Sequence, residues 1–125
     1  MAFGPLNFQR VPCLTAQTVD ETTGPSINVL GYTALTFYVI GTGPISSGVI
    51  TFEEADINPA KLAAEDYAGT WSEIGTVNAA DVTGGAQLAY HVGGPGGLFS
   101  YSFVRARIST AIGGGGDISV VLVAV

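Results

Sequence analysis

The chain predicts an all-β fold, a single β-sandwich of about eight antiparallel strands. Three observations carry this. Short runs of β-branched and aromatic residues recur along the 125 residues, separated by Gly and Pro. The run Tyr101-Ser102-Phe103-Val104-Arg105-Ala106-Arg107-Ile108-Ser109-Thr110 alternates, with Val104, Ala106 and Ile108 on one side and Tyr101, Phe103, Arg105 and Arg107 on the other. That period of two is the mark of a strand. The run Ile118-Ser119-Val120-Val121-Leu122-Val123-Ala124-Val125 is apolar on both faces, so its own sheet partners or another subunit must cover it on both sides. Gly113 to Gly116 between these two runs read as a mobile hairpin tip that turns the chain back on itself.

Taken in order, residues 1–11 hold Phe3, Leu6, Phe8 and a proline without periodicity, and are expected to form an arm that packs outside the domain at 12–125. Residues 12–19 form the first expected strand, followed by an acidic turn at 20–25 and a short strand at 26–30. Residues 32–40 give a strand with Leu35, Phe37 and Val39 on one face and Thr36, Tyr38 and Ile40 on the other, both at least half buried. After Gly41-Thr42-Gly43-Pro44, residues 48–55 resume, with Ile50 and Phe52 inward opposite Val49, Thr51 and Glu53. Asn58 as N-cap and Pro59 at the first helical position predict a two-turn helix before Tyr67. Strands return at 70–77, 86–92 and 101–110, and the terminal strand completes the set. This series of short strands makes a jelly roll the expected topology, although strand order is not readable from one sequence. In the strand that Trp71 opens, the inward set is either Trp71, Glu73 and Gly75 or Ser72, Ile74 and Thr76. Trp71 itself is expected to plug the edge of the core rather than to hold a ligand.

Composition narrows the function classes. Charged residues are 11% of the chain and apolar ones 47%, where ordinary soluble domains carry about 25% charge. A surface so poor in charge suits a subunit packed against its neighbours. Ten acidic against four basic side chains give a net charge of −6. Such a body is repelled by phosphate backbones, so direct nucleic-acid binding is not expected. Neither a signal peptide at the N-terminus nor a membrane-spanning run is visible, and the chain is expected to be made and used in a cytoplasm or in a particle assembled there.

The inventory for catalysis is thin, and the chain does not read as an enzyme. Cys13 is the single cysteine, expected as a small buried apolar residue, and His91 is the single histidine, beside a glycine-rich stretch rather than in a nucleophile motif. Glu53, Glu54 and Asp56 read as a solvated strand end, since Glu53 and Glu54 point to opposite faces and no calcium-type loop follows. Neither glycine-rich segment continues as a phosphate-binding loop, so no cofactor and no metal are expected. Arg105 and Arg107 share a face, with Glu53 and Glu73 on other strands as candidate ion-pair partners; in the functional reading one arginine docks on an acidic patch of a neighbouring subunit.

Gly48-Val49-Ile50-Thr51-Phe52-Glu53, Thr70-Trp71-Ser72-Glu73-Ile74 and Phe99 to Ser109, followed by a glycine turn into a valine-rich strand, resemble small β-sandwich proteins of tailed-phage virions. The resemblance spans roughly residues 32–125, and residues 54–69 depart from it, with a helical insert where a tight turn is usual. It implies a head decoration, or cement, protein on the capsid surface, without catalytic activity, whose partners are the major capsid protein lattice and copies of itself, expected as a homo-oligomer such as a trimer. The interface residues expected on this reading are Phe3, Leu6, Phe8, Tyr101, Phe103, Arg105 and Arg107. The alternative is a tail or fibre module that recognises a glycan or receptor through exposed aromatics such as Tyr90, Tyr101 or Phe103.

Overall fold

A computed structural model describes residues 9–18, 22–56, 70–93 and 102–125. Among the described residues the strands are β1 (Gln9–Gln17), β2 (Ile27–Asn28), β3 (Ala34–Thr42), β4 (Ser47–Ala55), β5 (Ser72–Asn78), β6 (Gln87–Gly93), β7 (Phe103–Gly113) and β8 (Asp117–Ala124). They form two four-stranded antiparallel sheets, ordered β1-β8-β3-β6 and β2-β7-β4-β5. First pairs with last, second with seventh, third with sixth and fourth with fifth. The pairs β3–β8 and β4–β7 then join these ribbons side by side. A long double ribbon rolled onto itself in this way is a jelly roll, and the all-β sandwich expected from the sequence is the fold observed.

The alternation in the sequence decides what lies between the sheets. On β3, Leu35, Phe37 and Val39 are buried while Thr36, Tyr38 and Ile40 stay half-buried. On β8, Ile118, Val120, Leu122 and Ala124 are fully buried, and the intervening residues face outward. Ile50 and Phe52 on β4 meet them from the other sheet, and the Phe37 and Phe52 rings stack with centroids 4.3 Å apart. Such a pair adds about 0.5–1.5 kcal/mol beyond its burial. Tyr90 on β6 lies against Phe52 at 5.1 Å, and a Cβ at Gly75 would collide with the Tyr90 hydroxyl. Gly75 is therefore fixed by a close approach across the sandwich.

Several expectations need correction. The glycine run 113–116 does not close a hairpin, because β7 and β8 lie in different sheets and the run carries the chain across the end of the sandwich. Gly114 and Gly115 have φ of 107° and 99°, and the run is tied down: Gly116 N donates to Pro44 O at 2.7 Å and Ser46 N to Gly113 O at 2.9 Å. A 3-10 segment, Ala79–Gly85, precedes β6; the Gly84 N–H donates to Gly43 O and the Ile45 N–H to Thr83 Oγ1. Residues 9–11, assigned by sequence to the arm, belong to β1 and pair with Ala124, Val123 and Leu122. The expected helix at 58–67 lies outside the described residues, as do residues 1–8.

The edge strand β1 is blunted against further pairing. It contains Pro12, two register shifts and Ala16 at φ 50°, features that interrupt a regular hydrogen-bonding edge. Substituting Phe52→Ala removes one ring of the inter-sheet stack and is expected to cost about 3–5 kcal/mol, read as a lower urea midpoint in equilibrium unfolding. A loss under 1 kcal/mol would show that the two sheets do not depend on this contact.

Candidate functional site

The two sheets present outer faces of opposite character. On β4 and β7, Thr51 stands opposite Arg107 and Glu53 opposite Arg105. Glu53 receives both arginines: Arg105 Nε donates to Oε1 at 2.8 Å and Arg107 Nε to Oε2 at 3.0 Å. Only 8% of Glu53 is exposed, so it is not part of a solvated strand end. Of the two partners suggested by sequence, Glu53 takes both cations, while Glu73 on β5 is exposed. Beside this triad, Thr51 and Ser109 share a 2.7 Å hydroxyl contact, and Ser109 Oγ donates to Val49 O.

Trp71 completes this face and overturns the expectation that it plugs the core. It lies half-buried just before β5, with the Arg105 guanidinium 4.1 Å from its ring centroid. The inward set of β5 mixes the two alternatives: Gly75 and Val77 stand opposite Phe52 and Ile50, and Ile74 also packs on the core. A register shift between Phe52 and Glu53 breaks the simple alternation.

Electrostatics follow from this packing. Burial raises the Glu53 carboxyl, but the hydrogen bonds and charges of Arg105 and Arg107 outweigh it and hold the group below its ordinary value. Glu54 shifts the other way, raised by burial and then by the charge of Asp56. A carboxyl depressed in the fold stabilises above its unfolded value and loses that contribution as pH falls through its folded one; a raised carboxyl has the opposite slope.

The outer face of β1, β8, β3 and β6 has an apolar centre bordered by polar side chains. Its rows, read across the sheet, are Arg10-Val123-Thr36-His91, Pro12-Val121-Tyr38-Ala89 and Ser119-Ile40-Gln87, with Asp117 beyond the last. Arg10, Tyr38, Ile40, Gln87, Val121 and Val123 line a shallow depression of about 450 Å³. His91 stands at the margin, its Nδ1 2.9 Å from Thr36 Oγ1. Cys13 lies on the opposite edge strand and on the buried side, so the structure does not bring it to His91. Burial pushes the Cys13 thiol up to about 12, against a smaller lowering from the Leu122 backbone.

Of the interface residues expected from sequence, Arg105 and Arg107 are together on the polar face, and Phe103 is buried at 3% exposure, so its ring is not an accessible contact in the single chain. Phe3, Leu6, Phe8 and Tyr101 lie outside the described residues. Tyr90, expected as an exposed aromatic, packs on Phe52, and its hydroxyl donates to Ile74 O at 3.4 Å. The sequence reading missed the apolar outer face as a unit. The signal was present in Tyr38, Ile40, Val121 and Val123, which occupy the nominally outward positions of β3 and β8. No protein-family model, curated protein or solved structure matches the chain.

Two outcomes follow. Glu53→Gln is expected to lower stability by about 1.5–3 kcal/mol at pH 7 and to flatten the fall in melting temperature on acidification through the carboxylate range. An unchanged acid slope would mean that another carboxylate governs it. The Cys13 thiol of the native protein should resist iodoacetamide at pH 8 and react once urea unfolds the chain.

Proposed function

We propose that the protein is a structural virion subunit, a decoration or cement protein that binds and stabilises a phage head lattice and associates with its own copies. The observation that carries the reading is the apolar outer face on a chain so poor in charge: Tyr38, Ile40, Val121 and Val123 stand together at outward positions of one sheet. The four side chains are half-buried within the chain, and their clustering at outward positions supports a contact surface there. The jelly-roll strand order is compatible, since this architecture recurs in viral capsid subunits, although it also serves lectins and other proteins.

In this reading the labour divides between surfaces. The apolar face serves contacts between copies, while the arm with Phe3, Leu6 and Phe8, together with Tyr101 and the arginine face, meets the lattice. Arg105 uses Nε for Glu53 and keeps its terminal amino groups for an acidic patch on the lattice. The alternative, a tail or fibre module that binds a glycan or receptor, draws its support from Trp71 and Arg105, an aromatic ring and a cation side by side on the polar face.

Purified protein added to undecorated heads of its own phage should co-sediment and saturate at a fixed ratio to the capsid subunit, and Arg105→Ala should weaken that binding. Failure to bind the heads, combined with specific spots on a glycan array, would replace the decoration reading with the alternative.

A further inference from the structure

We infer that the outer face of the β1-β8-β3-β6 sheet is a two-fold contact between two copies of this chain, in which Arg10 of each copy meets Asp117 of the other. The inference rests on the reading that the protein associates with itself, and it specifies the surface and the symmetry.

The charge pattern of the face selects the occupant. Arg10 stands beside Val123 at one end, and Asp117 opens β8 at the other. Among the described residues they are the only carboxylate or guanidinium on this face, with the His91 imidazole and the Tyr38 phenol the further titratable side chains. The other carboxylates of the described residues, at positions 53, 54, 56, 73 and 81, belong to β4, β5, the 3-10 segment and the residue following β4. Between the two charges lie Val123, Val121, Tyr38, Ile40, Pro12 and Ala89. A body of net charge −6 repels its copies, and of the six carboxylates among the described residues this face carries Asp117 alone.

Geometry then fixes the orientation. Six strand positions separate Asp117 from Val123, the partner of Arg10, so the two charges are about 20 Å apart and do not pair within one chain. A two-fold axis in the plane of the face, perpendicular to the strands and midway along β8, reverses strand direction. It places each Arg10 end over the Asp117 end of the other copy, forming two equivalent ion pairs. An axis parallel to the strands leaves both Arg10 ends together at one side and pairs neither. A two-fold interface is self-complementary in this sense, whereas a three-fold ring uses two different patches.

Packing is consistent with this arrangement. Sheets stacked face to face lie about 10 Å apart with interdigitating side chains. The depression lined by Tyr38, Ile40, Val121 and Val123 gives the side chains of the second copy room to enter. Arg10 also interacts within its own chain, and its five N–H donors let it hold a carboxylate of the second copy as well.

The test is sedimentation equilibrium of the full chain in the absence of any particle, so that loss of pairing is read separately from loss of lattice binding. The wild type should show a monomer–dimer equilibrium. Arg10→Asp and Asp117→Arg should each weaken the dimer by about tenfold or more, and the doubly reversed chain should recover most of the wild-type affinity. Such recovery requires that the two positions meet across copies, since within one chain they are far apart. As a second readout, Ala89→Cys near the proposed axis should cross-link efficiently with a short bis-maleimide, with Cys13 buried and inert. A monomer at every concentration, a trimer, or a dimer indifferent to both charge reversals would overturn the proposal.

Discussion

The pairing of β8 on both of its edges is the constraint on which the rest of the structure depends. Hydrogen-bonded to β1 on one side and to β3 on the other, this strand joins distant parts of the chain, as where the Ala16 N–H meets Ser119 Oγ across 103 residues. Its inner row, Ile118, Val120, Leu122 and Ala124, is wholly withdrawn from water. Without it β1 would have no neighbour and β3 would keep only β6. Because its partners are so remote in sequence, ordering this sheet carries a large loop-closure cost before any contact compensates, which makes a fold of this kind a slow one.

The same strand explains why the two outer surfaces diverge. Its outward positions hold Val121 and Val123, which make the middle of that surface apolar. The opposite sheet uses its centre strands differently. Its outward positions on β4 and β7 carry one carboxylate between two guanidiniums, with an indole ring beside one of them. Exposed Glu73 stands opposite Glu53 on β5, so this surface gathers two carboxylates and two guanidiniums where the middle of the other carries none, and that asymmetry distinguishes the two surfaces for any partner.

Much of the fold was legible because a strand buried on one side writes its period directly into the sequence. Leu35, Phe37 and Val39, and Val104, Ala106 and Ile108, were separable from their neighbours by alternation alone. What alternation does not encode is which sheet a strand joins. Gly113 to Gly116 have the composition of a hairpin turn, yet they cross between sheets, a difference set by the distant partners of β7 and β8. Trp71 was misplaced because a register shift beside Glu53 is invisible in composition. The 3-10 segment went unread because its residues, Ala79 to Gly85, lack a side-chain cap and contain a break at Val82, Thr83 and Gly84. For the site, the partnership of Glu53 with both arginines was readable as a possibility, whereas the depth of its burial depended on how the neighbouring strands pack around it.

The ends of the sandwich differ as much as its faces. At one end, the 43–47 segment, the glycine crossing and the 3-10 segment are laced together by main-chain hydrogen bonds. The two long connections, from Asp56 to Thr70 and from Gly93 to Ser102, both leave from the other end, near Ala34 and Phe103. Lengthening a connection there costs only a slowly growing closure entropy and disturbs none of the laced turns. The jelly roll can thus serve as a mount that anchors its architecture at one end, a division that makes it suited to peptide display at the other.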